Sequence, residues 1–335
     1  MSAQHRLAIV AVALWVALPA LAEVHRLPAP MFEGWDGAEV MLVGLHESEP
    51  TVRAGCAFVL GQTGDAAHAD ALAEALHDPD RGVRMWAGIS LAWLRDKRGL
   101  HAARAAGVGM RWWMRYYALV ALWRLDGSGL ERDLAQGRRD PDPLVKEFAS
   151  AASTGEVELW DEVVPPGSAP VEHEPVYVLE EVASLLVTET DLWFHVGDYR
   201  QCLRAQEAAL MLDATWAELQ GTNGWVYWSL GRDTEALGAY RRGAGMNPED
   251  WSARFDLGQH YYLTGKYDAA AREFKCAREL GCGAPLSHRH AHALEKAGRP
   301  AESLAVWREL AAEEPDNHIP LHHIKRLAAL LEVDA

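Results

Sequence analysis

Cysteine, basic residues and long apolar runs are all scarce in this sequence. Four Cys among 335 residues are too few for a scaffold built on disulfides. No apolar run reaches the roughly eighteen residues that a polytopic membrane protein needs. Lys and Arg number 32 against 48 Asp and Glu, a net charge of −16. Such an acidic chain disfavours non-specific binding to nucleic acid or to anionic membranes.

The motifs of common enzyme classes are missing too. The sequence has no Gly-rich phosphate loop, no Gly-x-Ser-x-Gly elbow, no His-Glu-x-x-His phrase and no Cys with a motif-linked His. We therefore expect a non-catalytic protein that uses no cofactor. A chain of 335 residues and 37.0 kDa is long enough for two domains.

The first 22 residues have the pattern of a secretory signal peptide. Arg6 precedes twelve apolar residues, Leu7 to Leu18, and the small-x-small triplet Ala20-Leu21-Ala22 follows. This pattern predicts cleavage before Glu23. We therefore expect a mature protein that is exported, periplasmic or secreted, and that carries no membrane span after cleavage. Residues 23–36 would form an N-terminal extension.

A period of 31 residues runs through the first half of the mature chain. The basic residues that recur at this spacing are Arg53, Arg84, Arg115 and Lys146. A small residue follows each of them by three positions, at Cys56, Ala87, Ala118 and Ala149. A fixed period with apolar positions at helical spacing indicates stacked helical units.

With the phrase Asp-Pro-Asp-x-x-Val-Arg at Asp78 to Arg84, residues 37–154 resemble the HEAT-like repeats of phycobilisome lyases. The resemblance implies antiparallel helix pairs, four of which would stack into one continuous core. We expect each recurring Arg to bond carbonyl groups or an Asp in the adjacent turn.

Residues 155–176 interrupt the repeats. They include four Pro and six acidic residues but no Lys or Arg. This composition cannot continue a helix stack, so it predicts an acidic linker or an extended strap.

The period becomes 34 in the second half. Gly197, Gly231 and Gly265 are 34 residues apart, and Gly298 follows at 33. Each Gly is expected to lie in the short turn that joins two helices. Pro248 and Pro315 lie seventeen residues after a Gly and are expected to end the second helix of their repeats.

Through phrases such as Leu257-Gly258-x-x-Tyr261-x-x-x-Gly265-x-Tyr267-x-x-Ala270, residues 177–335 resemble a tetratricopeptide array. The resemblance implies four repeats and a capping helix over residues 318–332. The repeats would lie near 183–216, 217–250, 251–283 and 284–317. The whole chain is then predicted to be an all-α, two-part α-solenoid.

In tetratricopeptide arrays the first helix of each repeat lines an inner groove. That resemblance places one set of polar and aromatic residues on the groove and predicts that they contact a protein or peptide partner. These residues are Phe194, Trp225, Trp228, Phe255, Gln259, Tyr262, His288, Arg289 and His292. Rigid aromatic side chains suit a peptide with apolar anchors, and packing between neighbouring helices is an equally open role for them. The sequence thus predicts an exported scaffold or adaptor.

A second function stays open: a carrier or enzyme accessory that holds a small ligand or a metal. The C-terminal part of the sequence carries a cluster of histidines that invites a metal hypothesis: His288, His290, His292, His318, His322 and His323. Among them, His288 and His292 share one helix face at a spacing of four, a separation that can hold Zn or Cu. An isolated His pair is more often solvated, so we predict no metal here. Five Trp of the first half could stack on a ligand, but core packing is the default for them. They are Trp86, Trp93, Trp112, Trp113 and Trp123.

Overall fold

The computed structural model describes residues 25–28, 37–109, 111–160 and 174–332. The predicted signal peptide lies outside these ranges, as do parts of the predicted extension and linker. The described residues form seventeen α-helices, which confirms the all-α solenoid.

Four helix pairs make up the first half. Their bounds are α1 (Ala38–Gly44), α2 (Pro50–Gln62), α3 (Ala69–Ala75), α4 (Arg81–Trp93), α5 (Leu100–Ala106), α6 (Trp112–Leu125), α7 (Leu130–Gly137) and α8 (Pro143–Thr154). A 3₁₀ turn precedes α3 at Ala66–His68, and another precedes α5 at Lys97–Gly99.

Four further pairs and a last helix make up the second half. Their bounds are α9 (Pro175–Val196), α10 (Tyr199–Leu212), α11 (Ala217–Ser229), α12 (Asp233–Met246), α13 (Trp251–Leu263), α14 (Tyr267–Glu279), α15 (Ala284–Lys296), α16 (Pro300–Glu313) and α17 (His318–Leu331). Helix α9 begins at Pro175, inside the segment expected to be linker, because Pro is well suited to the first turn of a helix. Helix α17 lies where the capping helix was expected.

A short two-stranded sheet connects the predicted N-terminal extension to the predicted linker. Strand β1 (His25–Pro28) pairs in parallel with β2 (Val157–Trp160), and both strands contact α8. The periodicity of the sequence does not predict this pairing, because the two strands are far apart along the chain.

The repeated Asp-Pro-Asp phrase and the recurring Arg form one interlocking unit. Arg53 donates from Nε to Asp78 Oδ2 at 2.7 Å and from Nη1 to the Glu47 carbonyl at 2.8 Å. Arg115 repeats the contact with Asp140 at 2.7 Å. The second Asp of the phrase caps the next helix: Asp80 accepts from the Val83 amide at 3.1 Å. The predicted structural role of the recurring Arg is confirmed.

The turns of the second half follow the predicted glycines. Gly197, Gly231, Gly265 and Gly298 have φ of 85°, 71°, 76° and 75°. This left-handed conformation is strained for any residue with a Cβ. Each of the four glycines therefore ends the first helix of its pair, as predicted.

Aromatic rings fill the core of the first half. The Trp86 ring lies 5.1 Å from Phe58 and 5.7 Å from Trp113, and Tyr117 lies 5.5 Å from Phe58. Trp86, Trp93, Trp112 and Trp113 are buried, while Trp123 is half-buried against the same core. Core packing of the five Trp is confirmed.

Helix α6 also joins the two solenoids. Tyr117 OH accepts from Arg204 Nη1 at 2.8 Å, and Tyr116 OH accepts from Gln201 Nε2 at 3.2 Å. Trp112 Nε1 donates to Tyr227 OH at 2.8 Å. Arg204 is ion-paired with Glu189, and their side chains are only 2% and 3% exposed. The junction is therefore a buried polar network between packed helices.

Replacing Arg204 by Met should destabilise the protein by about 3–5 kcal/mol, because Glu189 would stay buried without its cation. Adding Glu189→Gln removes that charge and keeps the acceptor that Trp193 Nε1 contacts at 2.8 Å. The double variant should therefore be more stable than Arg204→Met alone. Urea unfolding followed by circular dichroism measures both changes, and a double variant less stable than the single one would contradict this role of the pair.

Candidate peptide-binding groove and C-terminal histidine cluster

The nine predicted groove residues lie on α9, α11, α13 and α15, the first helices of the four repeats. Eight of them are half-buried and Arg289 is exposed. Trp225 and Trp228 both pack against the core with part of their surface. Their side chains therefore contribute to packing and still offer apolar surface.

A first aromatic group lies between the first two repeats. The Phe194 ring centroid is 5.5 Å from Tyr199 and 6.2 Å from Trp225, and Tyr199 is 6.4 Å from Trp225. All three side chains are half-buried. This group joins α9 and α10 to α11 and leaves apolar surface on the inner helices.

A second aromatic group lies on the third repeat. The Tyr262 ring is 5.5 Å from Tyr267 and 6.4 Å from the buried Phe274, which also lies 5.3 Å from Phe255. The Arg289 guanidinium of the next repeat lies 5.8 Å from the Tyr262 ring centre. A cation over an aromatic face is attracted by the ring quadrupole, so this contact connects the third and fourth repeats.

Gln259 carries an unused hydrogen-bonding group between these aromatic side chains. It follows Phe255 by four residues and precedes Tyr262 by three, a spacing that places all three on one face of α13. Within the described part of the chain, its buried Oε1 atom has no hydrogen-bond partner. A buried acceptor left unpaired costs free energy. Rotation of the half-buried Gln259 side chain toward solvent would let a ligand N–H pair with this oxygen and recover that free energy.

The carboxyl group of Asp256 lies where α11 and α13 approach each other closely. A Cβ atom on Gly221 would lie only 2.4 Å from Asp256 Oδ2. Burial, together with the charges of Asp250 and Glu218, raises the pKa of Asp256 to about 7. The sequence gives no sign of this shift, because the crowding comes from a neighbouring repeat.

A histidine cluster lies at the end of the array. His292 and Glu295 of α15 and His323 of α17 offer ligand atoms that all lie within 4.8 Å of one another. His323 stacks on Trp307 with ring centroids 4.2 Å apart and an interplanar angle of 6°. Burial lowers the pKa of both His292 and His323, so their imidazoles are neutral at pH 7.

His288, which the sequence paired with His292, is not a member of that group. Its Nε2 atom lies 3.1 Å from Glu314 Oε2. The sequence included His323 among the C-terminal histidines considered for a metal, but it did not combine His323 with His292 or assign Glu295 as a carboxylate partner. The spacing of three between His292 and Glu295 was a usable signal, but His323 reaches the cluster only through the packing of the capping helix.

A cleft of about 700 Å³ opens at the junction of the two solenoids. The Arg232 guanidinium occupies its aromatic side, 5.2 Å from the Trp112 ring and 5.0 Å from the Tyr227 ring. Arg232 is also ion-paired with Asp142 at 2.6 Å and with Glu235 at 2.9 Å. The stacking faces that a small ligand would use are therefore already in contact with a paired cation.

All four Cys are free thiols. Cys276 is half-buried, and burial raises the pKa of the buried Cys282 thiol. Among the described residues, no helix combines the length and the apolar composition needed to cross a bilayer.

Replacing Asp256 by Asn should make stability less dependent on pH. The folded carboxyl has a pKa of about 7, against roughly 3.9 when unfolded. The unfolded chain therefore loses this proton first, and wild-type stability falls as pH rises from about 4 to about 7. The amide has no proton to lose. Over this range the free energy of unfolding of the variant, relative to that of the wild type, should therefore rise by on the order of 1.4 kcal/mol per unit of difference between the folded and unfolded pKa. Urea unfolding of both proteins at pH 5 and pH 8 measures this change. If the variant and the wild type differed in free energy of unfolding by the same amount at both pH values, the raised pKa of Asp256 would be contradicted.

Comparisons with known proteins agree with this architecture. Residues 38–108 match the family profile of HEAT repeats, and residues 222–281 match that of tetratricopeptide repeats. No curated protein matches the sequence.

Two solved structures show a distant likeness. The crystal structure of MamA protein is 16% identical, with a TM-score of 0.39, and the match covers 44% of this chain and 82% of that one. The crystal structure of yeast Tom70 is 11% identical, with a TM-score of 0.37, and covers 85% of this chain and 58% of that one.

Tetratricopeptide repeats suggest a protein-interaction scaffold or adaptor, and repeat folds of this kind are typically non-catalytic. The chain is thus similar to HEAT repeats over residues 38–108 and to tetratricopeptide repeats over residues 222–281.

Proposed function

We propose that this protein is an exported, non-catalytic scaffold or adaptor that binds an unfolded segment of a partner protein in the groove of its tetratricopeptide array. The proposal rests on one face of α13, which combines an unpaired acceptor with aromatic side chains. There Gln259 occupies the helix position between two half-buried aromatic residues, Phe255 and Tyr262, and its buried Oε1 has no hydrogen-bond partner among the described residues. An acceptor flanked by apolar rings suits a peptide N–H flanked by apolar side chains.

The charges of the groove favour a partner segment that is basic as well as apolar. Asp191 and Glu218 are exposed on the first two inner helices, and Asp256 lies between α11 and α13. At neutral pH a Lys or Arg of the partner would supply the opposite charge and favour ionisation of Asp256. Apolar anchors would occupy the first and second aromatic groups.

Selection of peptides tests this proposal without knowledge of the partner. A random peptide library displayed on phage is selected against the purified wild-type protein, and the affinity of synthetic peptides is then measured by fluorescence anisotropy. The groove variant carries Trp225→Ala, Trp228→Ala and Tyr262→Ala. Its matched control carries Arg272→Ala and Lys275→Ala, two exposed residues of α14.

The groove variant should bind selected peptides at least about 100-fold more weakly, since truncating aromatic anchors commonly costs about 1–2 kcal/mol or more each. The control should bind like the wild type. Selected peptides should be rich in aromatic or aliphatic residues with Lys or Arg nearby. Equal losses in both variants, or peptides that bind the folded groove variant normally, would place the binding surface elsewhere.

A photocrosslinking amino acid locates the bound peptide directly. Benzoylphenylalanine in place of the exposed Arg289 should crosslink to a selected peptide, and the same group in place of the exposed Lys275 should not. The two positions are on successive helices, α15 and α14, so the comparison separates the groove from a nearby surface.

We infer export from the pattern of residues 1–22. Fractionation of cells that express the full chain should recover the protein outside the cytoplasm, in the periplasm, on the cell surface or in the medium. N-terminal sequencing of that protein should begin at Glu23. Recovery of an uncleaved cytoplasmic chain would contradict the inference and leave the groove proposal intact.

A further inference from the structure

A cluster of metal-ligating side chains connects the last repeat to the capping helix. His292 and Glu295 lie one turn apart on α15, and His323 approaches them from α17, so that one ligand atom of each is within 4.8 Å of the other two. The ring centroids of His292 and His323 are 4.9 Å apart, and His323 Nδ1 lies 3.7 Å from Glu295 Oε1. We propose that these three residues bind a divalent transition-metal ion, with Zn²⁺ as the best-suited ion.

The donor set determines the class of ion. Two imidazole nitrogens and one carboxylate oxygen are a set that zinc accepts, with water in the fourth position. Two ligands of a tetrahedral zinc ion that each lie about 2 Å from it are about 3.3 Å apart. The 3.7 Å between His323 Nδ1 and Glu295 Oε1 exceeds that value by about 0.4 Å, and the 4.8 Å within which all three ligand atoms lie exceeds it by about 1.5 Å. Small side-chain rotations can remove differences of this size. Ca²⁺ and Mg²⁺ prefer oxygen ligands and would bind this site poorly.

Neighbouring groups contact all three ligands. Trp307 Nε1 donates to Glu295 Oε1 at 3.3 Å, and Ser303 Oγ lies 3.5 Å from the same oxygen. The Trp307 ring stacks on His323 and meets His292 edge to face, with centroids 5.1 Å apart. Groups that orient the ligands of a metal in this way strengthen its binding.

Arg326 is the cation that now faces the cluster. Its Nη2 atom contacts Glu295 Oε2 and lies 3.1 Å from His323 Nδ1. The Arg326 side chain is 45% exposed, so it can rotate into solvent when a metal ion arrives. The ion would then supply the positive charge that the guanidinium supplies here, and it would fix α17 to α15 by direct bonds.

Zinc binding tests the site on the purified full chain without a His tag. Isothermal titration with Zn²⁺ at pH 7 gives the affinity, and the visible absorption of bound Co²⁺ reports the number and type of ligands. The variants are His323→Ala and Glu295→Gln, the second of which keeps the shape of the side chain. The matched control is His318→Ala, an exposed His of the same helix, and circular dichroism shows that each variant is folded.

One Zn²⁺ should bind per chain. His323→Ala and Glu295→Gln should each lower the affinity for zinc by more than the roughly 10–100-fold that follows from loss of an outer-shell group. His318→Ala should bind like the wild type, and Arg326→Ala at least as tightly, because a competing cation is gone. Zinc should also raise the unfolding temperature of the wild type but not of Glu295→Gln.

Two results would overturn the site. One is zinc binding that survives both His323→Ala and Glu295→Gln. The other is binding that is lost in His288→Ala but kept in His323→Ala, since it would favour the pair on α15 alone. Neither result bears on peptide binding by the wild-type groove, which is measured without metal.

Discussion

The buried guanidinium of Arg204 is the interaction on which the arrangement of the two halves depends. It lies on α10 and reaches both Glu189 of its own repeat and the Tyr117 hydroxyl of the other solenoid. A buried charge must be paired and hydrogen-bonded, so Arg204 restricts how α6 and α10 can pack. A solenoid repeat contacts mainly its neighbours, and this network adds the contact that a purely repetitive chain would lack.

The aromatic residues of the inner helices have two roles that do not exclude each other. Trp225 and Tyr262 pack against the core while part of each side chain stays exposed. Their packing fixes the rings in place, and a ring that is already fixed loses little entropy when a ligand contacts it. The sequence left open whether these residues pack or recognise a partner. The structure shows that they pack, and recognition of a partner is a proposal.

The capping helix takes the place of a neighbouring repeat after the fourth repeat of the second half. A terminal repeat exposes an apolar face unless another element covers it. Helix α17 covers that face with Ile324 and Leu327 and brings His323 onto Trp307. The first helix pair, α1 and α2, packs against α9, whereas strands β1 and β2 lie beside α8.

The sequence alone determined the repeats, their periods and their turns. The Asp-Pro-Asp phrase at Asp78, the Arg at position 53 and Gly231 act within one or two neighbouring units, so a local pattern was enough to predict their roles. Only the tertiary structure decided the partners of Arg204, the pKa of Asp256 and the meeting of His292 with His323. The Arg204 contact joins two solenoids with different periods, whereas the Asp256 and His323 contacts join helices one repeat apart. In all three cases the side chains that meet are not part of the repeated pattern, which therefore carries no information about them.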